Sequence, residues 1–396
     1  MTWAETKLAD HCDTITKGTT PTSLGFEFSD RGIPFVRVQN LSNGSVVFQN
    51  DDLFIDTTTH EALRRSKIYS GDVLLSIAGT IGRCAIVPEG TGELNCNQAV
   101  AIIRPKPTID RRFLMHWISS RAAIDQITQS KVTATISNLS LGQIGQLTIP
   151  LPSLDEQKRI AAILDQADDL RRKRKQALDH LNQLGQAIFH EMFGDPLGTP
   201  HDTVKWTIEN LEKNVDFMDY RGKTPLKSET GIRLITARNV KMGFINLEPQ
   251  EFVEEDSYDS WMTRGFPKIG DVLFTTEAPL GHVAQLDTEE KVVIGQRLIT
   301  MKPNRSLIRP IYLEFFLRTP SFRSAMFENS TGSTVVGIKS KLLKKISIAY
   351  PAIEEQEKFE LAIQQIRSIK PNFEKALERS NNIFYSIQHR GFRGEL

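Results

Sequence analysis

The stretch 152-PSLDEQKRI-160 returns, altered, as 351-PAIEEQEKF-359. Proline, an acidic pair and a glutamine keep their order in both, and Gln157 and Gln356 stand 199 positions apart. The residue before a proline is biased away from helix. Ser153 can then serve as an N-cap, with Asp155 and Glu156 complementing the helix dipole and Glu156 at the last position of a capping box. In the second copy Ala352 replaces Ser153, so Glu354 and Glu355 alone support the start. Capping accounts for the proline and the acids but not for the retained glutamines. The sequence therefore predicts a second role: Asp155, Glu156 and Gln157, and again Glu354, Glu355 and Gln356, as two equivalent docking points for a protein partner.

A long helical pattern follows each copy. From Ser153 to about Phe193 there is no proline and a single glycine, and Ile163, Ala167, Leu170, Ala177, Leu181, Leu184 and Ile188 fall on a heptad seam. The second seam runs through Phe359, Ile363, Ile366, Phe373, Leu377, Phe384 and Ile387, with Pro371 expected to kink or restart the helix. Such spacing reads as a coiled coil. A helix of about 40 residues is roughly 60 Å long, and a narrow apolar stripe of that length needs a partner. Pairing the two helices antiparallel is the economical solution, and two parallel helices from separate protomers fit the periodicity as well. The cationic run 171-RRKRK-175 lies just after Asp165, Asp168 and Asp169, which suits a solvated, charge-balanced face, with phosphate or partner contact as the alternative.

Further matches keep nearly the same offset, so the repeat covers the chain. The segment 71-GDVLLSIAG-79 answers to 270-GDVLFTTEA-278, 17-KGTTP-21 to 221-RGKTP-225, and Asn97-Gln98 to Gly295-Gln296. Before each long helix come short strand-like segments bounded by turn residues, among them 34-PFVRVQNL-41 and 99-AVAIIRP-105, then 232-IRLITARNV-240 and 298-LITMKP-303. Each set is followed by a short helical stretch, 111-RRFLMHWISS-120 or 310-PIYLEFFLRT-319. The fold class expected is α+β: two repeated mixed α/β globules, 1–151 and 196–350, and two long helices, 152–195 and 351–396, packed as an antiparallel coiled coil with approximate two-fold symmetry.

Composition narrows the function. No apolar run of membrane-spanning length and no signal peptide is visible, so a cytoplasmic location is expected. The three cysteines, Cys12, Cys84 and Cys96, have no CxxC spacing, and the eight histidines show no HxxxH pair, so metal chemistry is not expected. No GxxxxGK[ST], GxGxxG or [DNS]PP[YFW] stretch occurs, which removes the usual signatures of ATP binding, dinucleotide binding and amino-methylation of a flipped base. The Gly-Asp pairs at 71–72 and 270–271 read as turns that open strands. A formal net charge of +1 argues against gripping nucleic acid by bulk charge, but not against reading bases over a small footprint.

The order of globule, 150-PLPSLDEQKRIAAILDQADDLRRKR-174, globule, PxxEEQ helix and the closing 384-FYSIQHRGFRGEL-396 resembles the specificity subunit of Type I restriction-modification systems. Gly391 stands where that family usually has alanine. The resemblance implies two target recognition domains, each reading half of a bipartite asymmetric double-stranded DNA site, with the helices setting the unread spacer. It implies two modification (methyltransferase) subunits as partners, and ATP-dependent restriction subunits beside them. S-adenosylmethionine, ATP and magnesium would belong to those partners, and this chain would carry no cofactor and no catalysis. A non-catalytic coiled-coil scaffold for protein interactions is the competing reading.

Base readout needs Arg or Lys for guanine, Asn or Gln for adenine, and Ser or Thr as adaptable groups. In the first half the candidates at loops are Lys17, Thr19, Thr20, Arg37, Asn40, Thr80, Arg83, Asn97, Gln98, Lys131, Thr133, Thr135 and Asn138. In the second they are Arg221, Lys223, Thr224, Arg238, Asn239, His282, Gln296, Arg297, Ser333, Thr334 and Lys339.

Overall fold

Residues 3–129, 138–220, 224–332 and 335–396 are described here, from a computed structural model. The chain divides into two compact units, Met1–Gln176 with Glu374–Leu396, and Ala177–Phe373. Each long helix is thus shared between them.

In the first unit the main sheet has six strands in the order Cys12–Lys17, Val100–Pro105, Val73–Ser76, Cys84–Ile86, Gly44–Val46, Leu41–Ser42. Beside it lies a three-stranded sheet of Leu53–Ile55, Ile33–Val36 and Asn95–Cys96, the last two parallel. A third pairing joins Glu5–Lys7 to Thr148–Pro150. The strand Val73–Ser76 is buried at every position, as its unbroken apolar run requires when both faces of a sheet are covered. Gly71 before it has φ +85°, a conformation that favours glycine, and the Asp72 carboxylate accepts the Tyr69 N–H at 2.8 Å. The Gly-Asp pair is therefore a turn, and the second unit repeats it with Gly270 at φ +88° and Asp271 accepting from Lys268 at 2.9 Å.

The second unit repeats the arrangement of sheets. Val215–Asp219, Leu298–Pro303, Val272–Thr275 and Val283–Gln285 form four strands. Phe252–Val253, Ile232–Ile235 and Val292–Ile294 form three, again with a parallel pair, and Thr207–Asn210 joins Ser347–Tyr350. Short helices Arg111–Ile118 and Pro310–Phe316 occupy corresponding places. Two sequence expectations shift alike. The strand in 34-PFVRVQNL-41 breaks after Val36 and resumes at Leu41, because the Asn40 side chain accepts the Arg37 N–H at 2.8 Å across a 3₁₀ segment at Val38–Asn40. The strand in 232-IRLITARNV-240 ends at Ile235, where Asn239 accepts the Thr236 N–H at 3.0 Å.

The long helices span Leu154–Phe193 and Ile353–Arg393, and the second runs on through Pro371 without restarting. Within the first unit their segments are antiparallel: Arg159 donates to Leu396 O at 3.1 Å and Arg174 to Ala376 O at 2.7 Å. Ile160, Ala161 and Leu164 join Phe384 and Phe392 in a core around Phe113 and Trp117. Within the second unit the pairing is antiparallel too, with Phe189 against Phe359 at 5.3 Å and Gly185 beside Ile363. The predicted seam holds at Leu181, Phe359, Ile363 and Phe384, which are buried, whereas Leu170, Leu184 and Phe373 are exposed. Where a helix also packs on its globule, its buried stripe follows the globule instead of the heptad.

Candidate nucleic-acid interface

In the first unit several candidates meet at one end of the main sheet. The strand Cys12–Lys17 leaves the sheet there, Val100–Pro105 enters it, and Val73–Ser76 ends. Main-chain bonds lock the three loops together and tie a fourth segment to them: Thr19 N–H to Cys96 O at 3.0 Å, Ile77 N–H to Ala99 O at 2.9 Å, and Leu139 N–H to Ile77 O at 2.8 Å. Lys17, Thr80, Arg83, Gln98 and Asn138 are exposed on this edge, and Thr19, Thr20 and Asn97 are half-buried. The Thr20 hydroxyl donates to Gln98 Oε1, which fixes which face of that amide carries its N–H donors. The Ser76 hydroxyl donates to Thr80 O at 2.6 Å and accepts the Arg83 N–H at 2.8 Å, closing the turn that presents both residues.

The second unit builds the same edge from different side chains. Thr276 N–H donates to Arg297 O at 3.0 Å, Ile338 N–H to Thr276 O at 3.0 Å, and Gly295 N–H to Ile235 O at 2.8 Å. The Thr275 hydroxyl takes the part of Ser76, donating to Pro279 O at 2.5 Å and accepting the His282 N–H at 2.8 Å. Thr224, Arg238, Gln296 and Arg297 line one cleft, and Gln296, Arg297 and Lys339 line the next. His282 is half-buried and donates through Nδ1 to Val240 O at 3.0 Å. The clefts also hold acids, which the residue types expected for base readout do not include: Glu251 pairs with Lys227 at 2.8 Å and with Arg238 at 3.8 Å, and Glu277 pairs with Arg297 at 3.0 Å.

Three reading candidates prove to be committed to the fold. Asn40 is 1% exposed, and its amide donates to Val47 O at 3.0 Å and Asp52 Oδ1 at 2.7 Å. Asn239 is its counterpart, accepting from Thr236 and donating to Asn246 O and Pro249 O. Arg37 is half-buried and spends its guanidinium on Asp51 O and Asp52. Burial works against the ionised form of Asp52, yet Asn40, the Gln49 N–H and Arg37 together hold its pKa below the ordinary value. These residues shape the loop beside the edge and are not free to read bases. Lys131, Thr133, Thr135, Arg221, Lys223, Ser333 and Thr334 lie outside the described residues.

The repeated glutamines are a clear correction. Gln157 is 1% exposed and Gln356 0%. Gln157 accepts the Asp110 N–H at 2.8 Å and donates to Pro152 O at 3.0 Å and Thr108 O at 3.3 Å. Gln356 does the same with Arg309 N–H at 2.9 Å, Pro351 O at 2.8 Å and Leu307 O at 2.9 Å. Enclosed, with both N–H donors and the amide oxygen bonded inside the unit, they present no surface to a partner. Only the acids remain accessible: Asp155 and Glu354 are exposed, Glu156 holds Arg159 through two bonds of 2.8 Å, and Glu355 pairs with Lys358 at 2.6 Å. In the cationic run Arg171 and Arg172 pair with Asp168 and Lys173 with Asp169, whereas Asp165 serves His116 and Arg112.

Two like-folded units that present unlike polar side chains on one loop scaffold, each built onto segments of two shared helices, define a two-module recognition protein. Comparison with known proteins gives the family. The model of the Type I restriction modification DNA specificity domain matches residues 1–180 and 217–379. The Type I restriction enzyme EcoKI specificity subunit of Escherichia coli K12 is 25% identical, over 93% of this chain and 83% of that one. A putative specificity subunit, MjaX, of Methanocaldococcus jannaschii is 23% identical over 96% and 92%. Among solved structures, the Type I system S subunit from M. genitalium matches with a TM-score of 0.55 at 14% identity, covering 98% of this chain and 96% of that one. A chain from a study of complex assembly in the Type I system matches at 0.58 and 20%, covering 100% and 98%. The chain belongs to the Type I restriction-modification specificity subunits, which disfavours the scaffold reading.

Proposed function

We propose that each unit reads one half of a bipartite, asymmetric DNA site through its loop edge, and that the long helices set the spacer between the halves. The observation that carries this is the matched scaffold with mostly unmatched side chains: Thr80, Arg83 and Ala99 on one edge answer to Pro279, His282 and Arg297 on the other, and only Gln98 and Gln296 keep their type. A repeated frame with different donors and acceptors is what two unlike half-sites require. With a net charge of +1, the chain leaves much of the phosphate contact to other subunits. Those subunits are two modification subunits, joined by restriction subunits for cleavage. S-adenosylmethionine, ATP and magnesium reside in them, and this chain directs the reaction without catalysing it, in the cytoplasm. Among the described residues no helix is long and apolar enough to cross a membrane.

The test is salt-dependent binding of the full chain with its modification subunits to a pool of random duplexes. Enrichment of one split site with a fixed unread spacer is expected. Enrichment of a single continuous site, or none, would overturn the reading.

A further inference from the structure

The pair Glu277–Arg297 has a feature that stability does not explain. The carboxylate holds the guanidinium by its side, Oε1 to Nε at 3.0 Å, while the two side chains stay 41% and 51% exposed. An exposed ion pair of this kind contributes little to folding. The backbone nevertheless prepares it. Glu277 is bridged to Gly337, and a Cβ on Gly337 would lie 3.2 Å from Glu277 Cβ and 3.5 Å from Oε2, so glycine leaves that carboxylate its space. Arg297 is carried on the bond from Thr276 N–H, at the place where the two clefts share Gln296 and Arg297.

The first unit supplies an internal control. Ile77 N–H donates to Ala99 O as Thr276 N–H does to Arg297 O, and Ala78 bridges Asn138 as Glu277 bridges Gly337. Ala78 and Ala99 therefore occupy the positions of Glu277 and Arg297. Acid and base are present together in one unit and absent together in the other, on the same main-chain frame.

An arginine engaged through Nε keeps both terminal nitrogens for another acceptor pair. That fork matches O6 and N7 of guanine in the major groove. Holding it in place beforehand lowers the ordering cost of the contact, and the adjacent carboxylate repels phosphate and so disfavours misplaced docking. We propose that Arg297 reads a guanine in the half-site of the second unit, and that Glu277 is the residue that positions it. This rests on the DNA-reading function above. No guanine is read from the corresponding position of the first unit.

The experiment measures binding of the full chain, complexed with its modification subunits, to the selected duplex and to duplexes changed one base pair at a time. Wild type is compared with Arg297→Ala, Arg297→Lys and Glu277→Gln. A guanine preference of roughly 5- to 100-fold is expected at one position of the second half-site. It falls to near unity in Arg297→Ala and in Arg297→Lys, since lysine keeps the charge but lacks the fork. Glu277→Gln weakens the same preference and raises affinity for non-cognate duplex, while the first half-site is read unchanged. A merely structural role would lower affinity for every duplex alike and leave the base preferences standing, which overturns the proposal. Survival of the guanine preference in both Arg297 variants overturns it too, with DNA reading intact. Absence of any base preference in the wild-type complex removes the reading function itself, and this assignment with it.

Discussion

Gln157 Oε1 accepts the backbone N–H of Asp110 across 47 residues of chain, at 2.8 Å. The equivalent bond in the second unit, Gln356 to Arg309, spans 47 residues as well, at 2.9 Å. Each glutamine also ties back to the proline five residues before it, Pro152 or Pro351. Each long helix is thereby latched, at its first turn, to the loop that starts the short helix of its own globule. The motif repeated in the sequence is a joint that aims a helix, made with all the hydrogen-bonding capacity an amide side chain can spare at that place.

Removing the latch should cost folding stability. Gln157→Ala or Gln356→Ala strands the part-buried N–H of Asp110 or Arg309 and the buried carbonyl of Pro152 or Pro351, a loss of about 1–3 kcal/mol. Denaturant unfolding of the full chain checks this, with the expected fall in midpoint for each variant. Unchanged unfolding together with lost binding of modification subunits would restore the docking role.

Acid should weaken the first unit through Asp52. Its folded pKa lies below the unfolded value near 3.9, so its contribution is complete above that value and is lost as pH falls through the folded one. Asp52→Asn removes the ion pair with Arg37 and should lower the melting temperature at pH 7. It should also flatten the decline in stability as pH falls below the unfolded value near 3.9. An equally steep acid decline in the variant would show that the Asp52 network does not bear on it.

Tight packing between helix and globule should make one glycine irreplaceable. Alanine at Gly185 gains about 1 kcal/mol of helix propensity. Its Cβ, however, would sit 2.9 Å from Phe315 Cζ and 3.3 Å from Ile363 Cδ1. Phe315 is 5% exposed and flanked by Phe189 and Phe359, so the ring has nowhere to yield. Overpacking costs about 1–3 kcal/mol. Gly185→Ala is expected to be net destabilising by thermal melting, and a gain in stability would contradict the packing described.

How far the sequence carried this structure depended on the range of the interactions. The repeat, both long helices and the main strand segments of each half were legible because periodicity and turn residues are local signals. The glutamine latch was not, since its partners at Thr108 and Asp110 are about 50 residues away and only the fold brings them near. Asn40, Asn239 and Arg37 have the residue types that read bases, and nothing local to the chain distinguishes them from Gln98 or Gln296. Burial makes that distinction. Glu277 is not legible as part of the edge because an acid does not donate to DNA, and only the pairing of Thr276 with Arg297 in the fold brings it beside that arginine.

The division of reading between the units is tested most directly by determining the selected duplex for the complex of the full chain with modification subunits, in wild type, Gln98→Ala and Gln296→Ala. Two unlike half-sites with one fixed spacer are expected, with Gln98→Ala relaxing base preference in one half alone and Gln296→Ala in the other alone. Relaxation of both halves by either substitution, or unaltered preference in both variants, would contradict it.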